Sequence, residues 1–199
     1  MKCNLHDSGI GTMLIIRGPV GFTNGKVVDA MTTHLDIFPT ICDILAVNPP
    51  AWLRGRSLRP LVTDEVDDIH EALFFEVNYH AAYEPMRAVR TKGWKYIRRF
   101  DGRTTPVLPN CDDGESKSSW LQHDWKHHSV PEAGLFDLAF DPNETNNLID
   151  DPAAQSILLD LRGRMELWMR ETDDPLLEGA VPAPRETLKT AQPNIPGDA

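Results

Sequence analysis

The sequence predicts an α+β fold, an antiparallel sheet of four strands packed with a long helix. Two observations carry this reading. Between residues 71 and 100, three strand-like runs follow one another, and the last two are joined by a tight Lys92-Gly93 turn, the mark of a hairpin. From Pro152, the apolar residues Ala154, Ile157, Leu158, Leu161, Met165 and Trp168 recur at helical spacing to about Glu171.

The elements before the sheet are a strand and a helix. Residues 12–17, TMLIIR, form an apolar run closed by Gly18-Pro19 and are expected to be a short buried strand. A turn-rich loop follows. In DIFPTICDILAV, Ile37, Phe38, Ile41, Ile44 and Leu45 fall on one helical face. Asp36 is placed to cap that helix. Pro39 sits in its first turn, where a missing N–H costs nothing, and the helix should stop before Asn48-Pro49-Pro50.

The acidic stretch TDEVDDIHE reads as a surface link and a subdomain boundary, giving expected units at 1–62 and 63–175 with a Pro-rich tail at 176–199. The strand runs are EALFFEV (71–77), PMRAVRT (85–91) and KYIRRF (95–100). Residues 101–132 read as one long polar loop with little periodicity. GLFDLAF supplies the fourth strand, and DPNETNN a turn leading to the last helix. That turn lacks the alternating ligands, central Gly and final Glu of a calcium-binding EF-hand loop.

Composition narrows the function. Of 199 residues, 20 are Lys or Arg and 30 are Asp or Glu, a net charge of −10, which argues against general nucleic-acid affinity. No run approaches ~18 apolar residues, so no membrane span is expected. Asn4, His6 and Asp7 interrupt the N-terminal residues, which lack the build of a signal peptide. Cys3, Cys42 and Cys111 show neither a disulfide framework nor a zinc pattern, and their spacing leaves the compartment open.

Three places present chemistry-bearing side chains. Lys2 precedes a Gly-containing turn and reads either as a solvated lysine or as a compact cation for an anionic group. Glu76, His80, Tyr83 and Arg87 gather at a strand end and its loop, either as satisfied surface groups or as a binding cluster. His123, His127 and His128 lie on the polar loop without a Cys or Glu partner and read as solvent-exposed, so no metal site is assigned.

Four segments, in order, resemble the C-terminal portion of the sulfatase family. KCNLHDSGIGTMLIIRGP is similar to the family stretch in which a lysine and a Tyr-(Asp/Glu)-x-Gly turn precede an edge strand. HLDIFPTICDILAV with GRSLRPLV is similar to the Asp-x-x-Pro-Thr helix and the Gly-x-Ser-Leu-x-Pro-Leu segment after it. MRAVRTKGWKYIRRF resembles the arginine-bearing hairpin, and LFDLAFDPNETNNL the Asp-Pro-x-Glu-x-x-Asn-Leu signature. YHAAYEPMRAVR leans toward the N-sulfoglucosamine sulfohydrolase branch, and the likeness spans residues 2–171.

The resemblance implies an alkaline-phosphatase-like α/β catalytic domain, of which the strand at 12–17 and the helix at 36–47 would be a remnant. It implies calcium and a formylglycine made from Cys/Ser-x-Pro-x-Arg, a motif absent from this sequence. The chain is therefore expected to begin partway through a sulfatase and to be inactive alone. Its expected partners are a sulfated sugar or other sulfate ester and the missing N-terminal catalytic portion. Lys2 matches the family's sulfate-contacting lysine, and His80, with Glu76 and Arg87 beside it, falls where the substrate pocket is built. His6 stands where tyrosine is usual and Met13 where proline is common. Removing the large sheet would leave Ile15, Phe38 and Ile41 exposed. A free-standing sulfated-glycan-binding module or non-catalytic partner subunit is the alternative, and the phosphonate or phosphodiester branch shares the anion pocket.

Overall fold

A computed structural model of the chain describes residues 4–19, 21–23 and 25–183. They fall into two units, one made of residues up to Gly11 together with Phe74 onward, the other of Thr12–Leu73. The first opens with a single helical turn, α1 (Asp7–Ile10).

In the Thr12–Leu73 unit, the apolar run at 12–17 is not a strand. A strand is defined by a neighbour that takes its N–H and C=O groups, and among the described residues no ladder includes this run. Met13 and Ile15 are 83% and 80% exposed. One 3₁₀ turn (His34–Asp36) leads into α2 (Ile37–Ile44), with Pro39 buried in its first turn. The helix ends sooner than the spacing predicts. Ala46 takes a left-handed φ of 52°, and the Ala46 and Val47 N–H groups donate to Asp43 and Cys42 carbonyls, a Schellman closure.

Asp36 is positioned as the N-cap of α2, but its carboxylate turns away from the helix. Fully buried, it accepts from Thr33 N, Arg56 N (both 2.8 Å) and His70 Nε2 (2.9 and 3.0 Å). Thr40 Oγ1 donates to Asp36 O (2.6 Å) and accepts from Leu58 N (2.8 Å), while Ser57 and Arg59, which opens the short helix α3 (Arg59–Val62), both reach Asp43. Gly55 passes so close to the Leu35 carbonyl that a Cβ would lie 1.9 Å from its oxygen. The Asp-x-x-Pro-Thr and Gly-x-Ser-Leu-x-Pro-Leu segments are thus bonded to each other. Phe22, Leu58, Leu61 and Ile69 form the core beneath them.

The first unit is built on a sheet of β1 (Leu73–Tyr79), β2 (Tyr83–Arg90), β3 (Trp94–Arg99) and β4 (Ala133–Asp137), in that order. β2–β3 and β3–β4 pair antiparallel, with Arg90 opposite Lys95 and Trp94 opposite Asp137. The short link from β1 to β2 leaves only the antiparallel direction open there too. Alternation along the strands divides the two faces. Phe75, Val77, Met86, Ala88, Ile97 and Phe136 join Leu5 and Leu138 in one core. The opposite face carries Phe74, Arg87, Val89, Tyr96 and Leu135.

The segment between β3 and β4 is not the featureless loop its sequence predicts. It holds α4 (Glu115–Gln122) between two 3₁₀ turns, Leu108–Asn110 and Trp125–His127. α4 buries no residue, so there was no apolar row to read. The last helix, α5 (Gln155–Glu171), matches its periodicity and buries Leu158, Leu161, Met165 and Met169. It packs on β2 and β3, and Trp168 stacks on Phe74 at 5.2 Å, which places the helix on the Arg87 face. Each fully buried side chain of this kind stabilises by about 1.5–3 kcal/mol relative to exposure.

Candidate functional site

Lys2, the expected sulfate contact, lies outside the described residues, as does Cys3. The segment from Asn4 to Asp7 is described, and it is tied down firmly. Leu5 is buried in the sheet core. Asp7 receives Arg90 through Nε (3.1 Å) and NH2 (3.0 Å) and also the Lys95 ammonium. Lys95, wholly buried, makes a second ion pair with Glu144 at 2.8 Å. Glu144 also accepts the Asp7 N–H (2.5 Å) and faces His6 Nδ1 (3.3 Å). The His6 ring meets Phe136 edge-on at 5.4 Å, so histidine packs here on the sheet as well as facing the carboxylate.

Two cations thus meet two carboxylates. Burial pushes the Asp7 carboxyl up, but hydrogen bonds and charge from Arg90 and Lys95 outweigh it and hold the pKa below the ordinary value. Glu144 behaves likewise: burial raises it, and bonds from His6, Lys95 and the Asp7 N–H, with the Lys95 charge, bring it down. The cluster is internally balanced, and its effect is to pin the segment after Lys2 to the sheet.

The Asp-Pro-x-Glu-x-x-Asn turn is what carries Glu144. Asp141 accepts from Thr145 N (2.7 Å) and Asn146 N (2.8 Å), and Glu144 sits at a left-handed φ of 55°. Asn147 then bonds Leu135 N and Ala133 O, stitching the turn to edge strand β4.

Arg87 lies on the opposite face of the sheet and is fully buried. Its Nε and NH2 grip Asp174 at 2.6 and 2.9 Å, and NH1 donates to Asn78 Oδ1 (2.9 Å), Met86 O (2.9 Å) and Val77 O (3.2 Å). Burial raises the Asp174 carboxyl, yet the hydrogen bonds and charge of Arg87 together with the Leu176 N–H leave it lowered. Glu76 is exposed, with Oε2 3.7 Å from Arg87 Nε. Glu76 and Arg87 therefore come together, while the sheet separates them from the Leu5–Asp7 segment.

His80 is exposed in the link between β1 and β2. Its N–H donates to Ala82 O (3.3 Å). From the 3₁₀ turn at Leu108–Asn110, Asn110 reaches the same link, accepting from Ala82 N (2.7 Å) and donating to Ala82 O (3.3 Å). Its amide also donates to Glu84 (2.8 Å), whose other oxygen binds Arg99 (2.6 Å). Tyr79 and Tyr83, with rings 4.8 Å apart, hold Val181 through its C=O and N–H at the same end. Asn110 and Glu84 carry no sequence signal; Glu144 lies within the turn and family signature that the sequence shows, without a role of its own.

His123 and His127 are exposed and bonded within their own loop, to Ser119 O and Asp124 (both 2.7 Å). Among the described residues no group of three His, Cys, Asp or Glu is placed to hold a metal ion, and no helix is long and apolar enough to cross a membrane. Cys42 is buried and Cys111 half-buried, neither in a disulfide.

A family model described as N-sulphoglucosamine sulphohydrolase, C-terminal, matches residues 2–110. An ulvan-active sulfatase of Formosa agariphila is 29% identical over 184 residues, covering 85% of this chain and 30% of that protein. The human N-sulphoglucosamine sulphohydrolase is 25% identical over 199 residues, covering 87% of this chain and 39% of that protein. A solved 2-O GAG sulfatase aligns with TM-score 0.53 and 23% identity, over 82% of this chain and 30% of that one, a likeness of fold. The chain thus spans about a third of the length of the relatives it matches.

Proposed function

The chain belongs to the N-sulphoglucosamine sulphohydrolase C-terminal family, and from that premise we propose that it serves a sulfatase hydrolysing sulfate esters or sulfamates of sugars. The observation that carries this is the family match over residues 2–110, which takes in Lys2 and the segment clamped by Asp7, Lys95, Arg90 and Glu144.

Sulfuryl transfer develops charge on the sulfate oxygens and the leaving atom, and fixed cations in a dry site stabilise it best. In this reading Lys2 supplies such a cation, a compact ammonium with three donors. The ion cluster behind it limits how far the segment can move. His80 contacts the sugar. Arg87, whose guanidinium nitrogens all have acceptors, braces the end of β1 that leads to His80 through Val77 and Asn78, and holds Glu76 at its outer side.

Calcium and formylglycine do not fit the residues present: the described residues offer no group of three His, Cys, Asp or Glu that could hold a metal ion, and neither Cys42 nor Cys111 lies in Cys-x-Pro-x-Arg. No step of the proposal runs through them. We assign both to a portion of polypeptide corresponding to the rest of the relatives' length, and the exposed run at 12–17 with the Phe38 and Ile41 side of α2 to its docking surface.

Titration of the chain with N-sulfoglucosamine and with glucosamine, followed by NMR, tests the reading. Signals of His80 and of the Asn4–His6 backbone should move with the sulfated sugar alone, and Lys2→Ala should abolish the difference. Equal responses to the two sugars contradict it.

A further inference from the structure

We propose that Asn110 is the positioning residue for His80, clamping the β1–β2 link and acting on substrate only through it; this rests on the reading of His80 as a sugar contact.

Residues 80–82 lie outside the strand ladder, so their backbone groups need other partners. His80 N–H takes one side of the Ala82 carbonyl, at 3.3 Å. Asn110 supplies two more bonds at Ala82, an acceptor for its N–H and a second donor to its carbonyl. A side-chain amide is one of few groups that can do both at once, because it carries an acceptor and two donors. Its orientation is settled by Glu84. That carboxylate, 7% exposed and held by Arg99, accepts from Nδ2, so Nδ2 faces Glu84 and Oδ1 faces Ala82 N–H.

The clamp is itself rooted. Asn110 N–H donates to Val107 O at 3.1 Å, and Val107 is buried. Ala82 is 2% exposed, whereas the His80 side chain beside it is open to solvent. A fixed backbone beneath an exposed ring leaves less freedom to lose when a ligand binds. The chain of contacts runs from Arg99 through Glu84 and Asn110 to Ala82, and from the Ala82 carbonyl to His80.

The test uses the full 199-residue chain and two readouts. Amide exchange at Ala82 reports the clamp without any ligand; Asn110→Ala should speed it ~10-fold. Glu84→Gln, which loosens the amide without touching the link, should speed it by a smaller factor and stands in if the first variant fails to fold. The second readout is N-sulfoglucosamine affinity in a double-mutant cycle. Asn110→Ala should weaken binding ~10-fold in the parent chain and add nothing in His80→Ala. Unchanged exchange at Ala82 in both variants overturns the clamp. An additive loss in the double variant overturns action through His80. A parent chain with no sugar response overturns the substrate reading and the positioning role with it, while exchange still judges the clamp.

Discussion

The sheet unit and the Thr12–Leu73 unit dispose of their apolar residues differently. In the sheet unit both faces of the sheet are covered, one by α5, the other by the core that Leu5 joins, the charges inside are paired, and exposed apolar side chains such as Phe140 and Leu159 lie off the sheet. In the Thr12–Leu73 unit a small core of Phe22, Leu58, Leu61 and Ile69 is closed, yet Met13, Ile15, Leu45 and Trp52 are each more than half exposed. The difference teaches that hydrogen-bond completeness and apolar completeness are separate. Asp36 and Thr40 knit the second unit as tightly as Lys95 knits the first, but knitting does not cover a surface.

The largest expected effect breaks the sheet unit's interior. Lys95→Met leaves buried Glu144 without its cation and half-buried Asp7 with Arg90 alone, and should cost about 3–5 kcal/mol in urea unfolding. A loss below about 1 kcal/mol would mean the cluster is better solvated than its burial indicates.

Next comes the other unit's knot. Asp36→Ala orphans the Thr33 and Arg56 N–H groups and the His70 ring, and should cost about 2–4 kcal/mol. Amide exchange should rise first in residues 33–58; a rise confined to β2 and β3 would contradict the separation of the two units.

A third effect sharpens the contrast by acid. Asp7, Glu144 and Asp174 all have lowered folded pKa values, so each stabilises the fold fully above the unfolded value near 4. That contribution declines as pH falls through the folded values. The contribution of these carboxylates should be flat from about pH 7 to 5 and drop below about 4, with Lys95→Met showing a shallower drop. Equal acid slopes in parent and variant would contradict the assignment.

The smallest effect on stability lies on the exposed run. Ile15→Lys should change unfolding by no more than about 0.5 kcal/mol, while lowering light scattering and hydrophobic-dye binding. A large loss of stability would show that Ile15 is packed.

How much the residues disclose in advance depends on the range of the forces involved. α5 and the Lys92-Gly93 hairpin are local patterns, and they are where periodicity and turn chemistry place them. The run at 12–17 has the composition of a strand, but pairing comes from a neighbour, which composition cannot supply. α4 was hidden because a helix that buries nothing writes no apolar row. Lys95 alternates among inward residues of β3, yet its partner Asp7 stands 88 positions away. Arg87 and Asp174, 87 apart, likewise carry no sign of each other in the sequence. Of the proposed site, Lys2 and His80 stand out by residue type and position and take their proposed roles from family likeness, while Asn110 does not stand out at all, since a lone Asn in a polar loop carries no pattern.

One assay bears on the central proposal, that this chain contributes a cation and a sugar contact but not the nucleophile or metal ligands. Sulfate release from N-sulfoglucosamine by the purified 199-residue chain, with calcium added, should not exceed the blank. Calcium-dependent release that Lys2→Ala abolishes would contradict the account, because the chemistry would then reside within these residues.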